Sequence, residues 1–278
     1  MWTATSKQEL RTKLHSQARP VILVPTMGAL HPGHASLVEL ARKRAGESGT
    51  VIVSIFVNPI QFDRPSDLEK YPRTLEDDLE VCRKNGADGV FIPKDGEMYS
   101  PDRSITVNES SLADHLCGAT RPGHFDGVCT VVLKLFNLTR CDAAVFGEKD
   151  FQQLAIIRRM LRDLDLGTEI IPHPTVREAD GLAMSSRNAR LSPEHRQDAT
   201  RLRRALLEAS GKTSVEEILD TARKILSSGS HARIDYLNLV DAETLAPAED
   251  LATKRVLACA VFYGEVRLID HITIRPTA

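Results

Sequence analysis

The stretch Val21-Ile22-Leu23-Val24-Pro25-Thr26-Met27-Gly28-Ala29-Leu30-His31-Pro32-Gly33-His34 decides how the rest of the chain is read. Its first four residues form an unbroken apolar run that ends at a proline, the pattern of a strand buried on both faces of a parallel sheet. The residues after it, Ala35-Ser36-Leu37-Val38-Glu39-Leu40-Ala41-Arg42, read as a helix. The two histidines therefore fall at a strand-to-helix junction, at the helix N-terminus. Unpaired backbone N–H groups and the helix dipole there favour bound anions, phosphate above all. Histidines three apart share a helix face. Gly33 permits close approach, so two imidazoles and a positive helix end make a site for charge on a phosphorus centre.

The spacing resembles the HxGH signature of the nucleotidylyltransferase superfamily. Histidines of that signature stabilise the transition state as a nucleophile attacks the α-phosphate of ATP. A bare His-x-x-His pair is equally well a structural metal pair or two surface histidines. The strand before it, together with Gly28 and Gly33, shifts the balance toward the phosphate site.

The 278 residues suffice for one large or two smaller domains with a sizeable core. With 42% hydrophobic and 27% charged residues the composition is that of a soluble globular protein. A net charge of -2 gives no basic field for nucleic acid, so no nucleic-acid partner is expected. Cys82, Cys117, Cys129, Cys141 and Cys259 are odd in number and scattered, without a C-x-x-C pair. They read as reduced, mostly buried thiols of a reducing compartment. No apolar signal core opens the sequence and no apolar run approaches membrane-spanning length, so a cytoplasmic protein without membrane contact is expected.

Strand-like and helix-like segments alternate along the first part. After residues 21–24 come the β-branched run Thr50-Val51-Ile52-Val53-Ser54-Ile55-Phe56-Val57, helical periodicity over 68–84, and the short strand Gly89-Val90-Phe91-Ile92-Pro93. Residues 130–138 have strand propensity, yet they follow a Gly-rich loop and run to helix length, which predicts a helix. Asp142-Ala143-Ala144-Val145-Phe146 reads as a fourth strand, 151–164 as a helix and Glu169-Ile170-Ile171-Pro172 as a fifth strand. The alternation predicts an α/β fold with a doubly wound parallel sheet. Right-handed crossovers then bring the strands' C-terminal ends to one edge, where ligands bind.

The character changes near Pro174. Ser192-Pro193-Glu194 is a helix start with Ser as N-cap, and Ser214-Val215-Glu216-Glu217 is a capping box. Strand-like segments follow over 234–240, 255–263 and 266–270, the last two flanking a tight turn at Gly264-Glu265. The expected division is a nucleotide-binding domain over 1–174 and a smaller C-terminal α+β domain over 175–278.

Other clusters carry chemistry. Asn58-Pro59-Ile60-Gln61-Phe62 directly follows the second strand. Amides there suit the hydroxyl and carboxylate groups of a small ligand, although Asn-Pro turn chemistry explains this segment more simply. Gly147-Glu148-Lys149-Asp150-Phe151-Gln152-Gln153 follows the fourth strand and opens a helix. Lys149 can reach a phosphate as a point charge and Gln153 can project into the same crevice; a solvated turn capped by Asp150 weighs equally. In Asp180-Gly181-Leu182-Ala183-Met184-Ser185-Ser186-Arg187-Asn188, two hydroxyls followed by a cation can hold a polyphosphate, and Leu182 and Met184 favour a folded loop over a linker. Arg121-Pro122-Gly123-His124-Phe125-Asp126-Gly127 is a Gly-rich loop suited to cover the crevice or to contact a carboxylate through Arg121; a plain connecting loop explains it at least as well. Asp77 and Asp78 are each candidates for magnesium, which one carboxylate and nucleotide phosphates often hold; a solvated acidic helix face is the commoner explanation.

In order and spacing these segments resemble those of the pantothenate synthetase family over nearly the whole chain. The resemblance implies a Rossmann-like N-terminal domain, a smaller C-terminal domain that closes over the nucleotide, and a homodimer. It implies that the (R)-pantoate carboxylate attacks the α-phosphate of ATP, giving pantoyl adenylate and pyrophosphate. The amine of β-alanine then displaces AMP to give pantothenate, and magnesium assists. Carried onto this chain, Met27, Gly28, Ala29, Leu30, His31, Pro32, Gly33 and His34 form the first ATP segment, with His34 and His31 catalytic. Gly147, Glu148, Lys149 and Asp150 form a second, with Lys149 on the phosphates as a third catalytic residue. Val176 matches a backbone contact to adenine. Met184, Ser185, Ser186 and Arg187 match the loop that grips ATP, similar to the KMSKS loop of class I aminoacyl-tRNA synthetases. Gln61 matches a residue shared by pantoate and β-alanine, Gln153 a second pantoate ligand, and Asp77 the magnesium-associated carboxylate.

Readings from other classes remain at this point. A nucleotidylyltransferase that leaves AMP on its product would share the His31/His34 site, and a nucleotide sensor would bind ATP without turnover. A dehydrogenase is disfavoured because no G-x-G-x-x-G turn is present.

Overall fold

Val21–Thr26 is a strand whose first four side chains are buried, and it pairs in parallel with Thr50–Ile55 from Val21↔Thr50 to Thr26↔Ile55. Thr50–Ile55 is buried at all six positions, which is why the sequence there runs through apolar and β-branched residues without a polar face. In the computed structural model, which describes residues 1–276, these strands lie in a six-stranded parallel sheet. Its members are β1 (Trp2–Ala4), β2 (Val21–Thr26), β3 (Thr50–Ile55), β4 (Gly89–Phe91), β5 (Ala143–Gly147) and β6 (Glu169–His173). Their lateral order is β1-β4-β3-β2-β5-β6. The winding proceeds outward through β3 and β4 on one side of β2, then through β5 and β6 on the other. The direction reverses between β2 and β5, which pair through Ile22↔Ala143 and Leu23↔Ala144. Open α/β sheets place their ligands outside the carboxyl ends of the strands at such a point.

The helices of this part are α1 (Lys7–His15), α2 (Pro32–Ala45), α3 (Pro65–Glu69), α4 (Leu75–Lys84), α5 (Asp95–Met98), α6 (Leu116–Thr120), α7 (His124–Thr139) and α8 (Phe151–Asp163). Leu37, Val38, Ala41 and Ala45 of α2 share a core with Ile22, Val24, Val51, Val53 and Val145. The helix expected near 130–138 is present, and it starts earlier, at His124 after the left-handed Gly123. Two expectations change. Residues 68–84 are not one helix: α3 ends at Glu69 and α4 starts at Leu75. Pro72 lies between them, and proline removes an N–H and disfavours helical geometry in the residue before it. The sheet also has one more strand than expected, because Trp2–Ala4 pairs with β4 at Trp2↔Gly89. Three edge residues are too few to show a period.

The C-terminal part contains α9 (Pro193–Ala199), α10 (Arg201–Ser210) and α11 (Val215–Ser227), then an antiparallel sheet of β7 (Ala232–Asp241), β8 (Arg255–Tyr263) and β9 (Val266–Ile274). Ser192 and Ser214 cap α9 and α11 as expected, each accepting from a backbone N–H three residues on. The carboxylate of Glu217, however, accepts from the N–H and hydroxyl of Thr213. Central strand β8 is buried at every position, and Leu257, Cys259 and Val261 share a core with Leu202, Leu206, Ile218 and Ala222. The pairing Tyr263↔Val266 leaves Gly264-Glu265 as the expected two-residue turn.

Two compact units result: residues 1–109, 121–148 and 156–174 form one, and 110–120, 149–155 and 175–278 the other. Two short segments from the N-terminal part, one of them bearing Lys149 and Gln153, thus belong with the C-terminal unit. All five cysteines are unpaired and buried, and burial pushes the Cys82 and Cys129 thiols up to about 12. Among the described residues no helix is long and apolar enough to cross a membrane.

Candidate active site

Strand β2 ends at Thr26, whose hydroxyl donates to the Ser54 carbonyl at 2.7 Å and accepts the Gly28 N–H at 3.2 Å. Gly28 (φ +82°) and Ala29 (φ +51°) then take left-handed backbone in succession. The turn aims two successive N–H groups at the buried carboxylate of Asp78: Ala29 donates to Oδ2 at 2.9 Å and Leu30 to Oδ1 at 2.7 Å. Thr74 adds its hydroxyl to Oδ1 at 3.1 Å. A Cβ on residue 28 would stand 2.9 Å from Asp78 Oδ2 and 3.1 Å from Ile55 Cγ2, so both conformation and space require glycine.

The loop delivers His31 to the N-cap of α2. Its Nδ1 accepts the Gly33 N–H at 3.1 Å, while His34 Nδ1 accepts the His31 N–H at 3.3 Å. Two imidazoles thus do what Ser and Glu do in an ordinary capping box, and Pro32 at the first helical position has no N–H to satisfy. The ring centroids are 4.1 Å apart at 41°. Because both Nδ1 atoms accept, the neutral form of each ring carries its proton on Nε2. The helix start therefore sets both histidines as Nε2–H donors, the form that binds phosphate oxygen.

Gln61, in a 3-10 turn over Pro59–Gln61 just after β3, is also buried. Asn58 Nδ2 donates to its Oε1 at 2.8 Å and to the Gly127 carbonyl at 3.1 Å, and Gln61 Nε2 lies 3.3 Å from Met27 Sδ. The Gln61 carbonyl accepts from His124 Nδ1 at 2.7 Å and from Arg121 at 3.3 Å. Close packing of α7 on this turn depends on Gly127, where a Cβ would come within 2.5 Å of the Ile60 carbonyl. Arg121 is committed inside the chain: its Nε pairs with Asp63 at 2.7 Å. Part of the loop read as a cover is thus a clamp on the Gln61 turn.

Gly147 closes β5, and the Glu148 N–H donates to the His173 carbonyl at 2.8 Å. Lys149, Asp150, Gln153, Val176 and Met184, Ser185, Ser186 and Arg187 lie in the second unit. Desolvation is the main cause that lowers the pKa of Lys149; Asp150 and Asp270 oppose it, and Arg187 adds to it. A desolvated ammonium that feels a neighbouring guanidinium is suited to receive a polyanion. Gln153 is half-buried in the first turn of α8, whereas its neighbour Gln152 is structural, accepting from Cys117 N–H at 2.8 Å and donating to the Leu112 and His115 carbonyls. The Val176 carbonyl accepts the Met184 N–H at 3.0 Å, and Ser185 Oγ accepts the Arg187 N–H at 3.3 Å. Below this loop, Arg177 grips Asp270 with two nitrogens at 2.7 and 2.8 Å, and Arg196 bridges Glu178 and Asp180. A linker would carry no such network.

Asp77 is exposed in the first turn of α4. Its neighbour Asp78, equally a magnesium candidate by sequence, is the buried anchor of the histidine loop. The sequence reading also missed Asn58 as a buried hydrogen-bonding centre, because Asn-Pro fits an ordinary turn, and missed Tyr99 altogether.

Comparison with known proteins agrees with this geometry. The pantoate-β-alanine ligase family model matches residues 2–273. The pantothenate synthetase of Akkermansia muciniphila is 52% identical over 281 aligned residues, covering 99% of this chain and 100% of that protein. That of Thermotoga petrophila is 46% identical over 274 residues, covering 97% of each. The crystal structure of pantothenate synthetase from Thermus thermophilus superposes with a TM-score of 0.93 at 44% identity, covering 99% of this chain and 100% of that one. The pantoate-β-alanine ligase of Francisella tularensis, crystallised with β-γ ATP and β-alanine, superposes with a TM-score of 0.82 at 32% identity, covering 100% and 99%. With the family model matching nearly the whole length and relatives about half identical over it, the family is settled: the protein belongs to the pantoate-β-alanine ligase family.

Proposed function

We propose that this protein condenses (R)-pantoate with β-alanine in an ATP-driven reaction that passes through pantoyl adenylate. A pantoate carboxylate oxygen attacks the α-phosphorus and the bond to the pyrophosphate oxygen breaks. The β-alanine amine then attacks the acyl carbon, AMP leaves with the carboxylate oxygen, and loss of a proton gives the amide. The observation that carries this reading is the reciprocal cap of His31 and His34, which sets two Nε2–H donors where β2 turns into α2. Donors fixed before reaction stabilise charge as it develops on phosphate oxygen. Acting as a proton donor would require His34 as an imidazolium, whose Nδ1–H conflicts with the N–H of His31. Charge stabilisation is therefore the favoured role for both rings.

Lys149 and Arg187 bind the phosphates, and Ser185 and Ser186 supply hydroxyls to them. Val176 and the segments Met27, Gly28, Ala29, Leu30, Pro32 and Gly33, and Gly147, Glu148 and Asp150, hold the rest of the nucleotide. Gln61 and Gln153 hold pantoate. Asp77 is the carboxylate assigned to magnesium carried on the nucleotide; an exposed acid fits, because this ion keeps phosphate and water ligands. When bound, magnesium supplies neutralising charge to the phosphates. The family resemblance also supports a cytoplasmic homodimer, and the buried free thiols fit a reducing compartment.

The test is a product assay with each substrate omitted in turn. Pantothenate and AMP should appear only with ATP, pantoate and β-alanine together. Steady AMP release at the full rate without β-alanine, or stable accumulation of an adenylylated product with it, would overturn the reading.

A further inference from the structure

Gln61 has an acceptor end and a donor end, and a hydrogen-bonded chain behind it decides which is committed to the protein. Tyr99 Oη donates to Asn58 Oδ1 at 2.7 Å. Asn58, 1% exposed, turns its Nδ2 to both the Gly127 carbonyl and Gln61 Oε1. The Gly127 carbonyl only accepts, so reversing the Asn58 amide would set two acceptors face to face, and Tyr99 satisfies the oxygen that this orientation leaves behind. With Oε1 committed, Gln61 keeps Nε2 as its outward donor. Its neighbour at 3.3 Å is Met27 Sδ, a weak acceptor that a substrate oxygen readily replaces.

Tyr99 is itself held firmly. Its ring packs at 6.1 Å from that of Phe56, with the Arg103 guanidinium 5.2 Å and the Lys134 ammonium 5.8 Å from its centroid. Burial raises its hydroxyl above the ordinary tyrosine range, so it remains a donor at working pH.

We propose that Tyr99 is a positioning residue: its hydroxyl, acting through Asn58, presents the Gln61 amide donor end first to an oxygen of pantoate. This rests on the assignment of Gln61 to pantoate. Such a chain transmits orientation because each buried member has one partner set that satisfies it and a costly alternative.

The test uses Tyr99→Phe, which keeps the ring and removes only the hydroxyl, alongside Gln61→Ala and the double variant. In Tyr99→Phe the pantoate KM should rise about tenfold, as expected for one unsatisfied buried acceptor. The ATP KM should stay near that of the parent, while the thermal midpoint falls modestly because the buried Asn58 oxygen loses its donor. In the Gln61→Ala background the same change should add almost nothing, because coupled residues are non-additive. An unchanged pantoate KM in Tyr99→Phe, with Gln61→Ala impaired, overturns the positioning role. A parallel rise in both the pantoate and the ATP KM also overturns it, showing Tyr99 to be structural only. If Gln61→Ala itself binds pantoate normally, the Gln61 assignment fails first, and the proposal with it.

Discussion

Asp78 accepts the backbone N–H of Leu30 at 2.7 Å across 48 residues of chain, and with the Ala29 N–H on its second oxygen it fixes the loop that leads into α2. Successive N–H groups in left-handed backbone form a concavity that binds anions. Here the anion is the protein's own carboxylate. On the proposed reading, phosphate recognition then falls to the start of α2, where His31 and His34 stand.

Asp78→Ala removes the acceptor for two N–H groups and a hydroxyl. Stability in urea should fall by about 2–4 kcal/mol, since charge-assisted hydrogen bonds are lost and buried donors are left without partners. The ATP KM should rise with it. Asp77→Ala, at an exposed position, should leave the unfolding midpoint unchanged and raise the magnesium requirement. Equal stability of the two variants would contradict the anchoring role of Asp78.

His34→Ala removes both a donor and the acceptor for the His31 N–H. Adenylate formation in a single turnover should slow about 10²–10³-fold, the usual loss for one transition-state donor. ATP affinity by calorimetry should change far less. Near-parental adenylate formation would count against the assignment.

Lys149 releases its proton more readily than an ordinary lysine, mainly because it is desolvated. A triphosphate beside it favours the ammonium and raises the pKa again. In the window between the lowered and the restored values, ATP binding should therefore take up protons, and affinity should fall as pH rises through it. Calorimetry in buffers of different ionisation enthalpy reads the uptake directly. Lys149→Gln should abolish it; an unchanged uptake in that variant would place the titrating group elsewhere.

The base of the 176–188 loop is held by Arg177–Asp270 and by Asn188 on Glu178 at 2.8 Å, while Ser185 and Arg187 form the part proposed to grip ATP. Hydrogen exchange at 185–187 should slow on addition of ATP and magnesium, with little change at the already bonded amides of Glu178 and Met184. Exchange at 185–187 that ignores saturating ATP, together with a fully active Arg187→Ala enzyme, would rule out a gripping role.

Much of the fold was readable from local pattern. The apolar runs of β2 and β3, the Ser192 and Ser214 caps and the Gly264-Glu265 turn express propensities and periods that need no distant partner. The histidine pair was readable for the same reason, since its strand, glycines and helix are contiguous. What the sequence by itself determined, then, was the order of most elements and the helix start at which His31 and His34 stand. Tertiary structure alone decided three further things. Two neighbouring aspartates were equivalent on paper until folding buried Asp78 against the loop and left Asp77 in water. Asn58 looked like a turn residue until Tyr99, 41 positions on, and Gly127, 69 positions on, fixed its amide. Residues 149–155 followed a strand of the first unit yet packed with the second. Each depends on which groups meet after the chain closes over tens of residues, and hydrogen-bond satisfaction in a buried site is settled by those meetings, which no local period records.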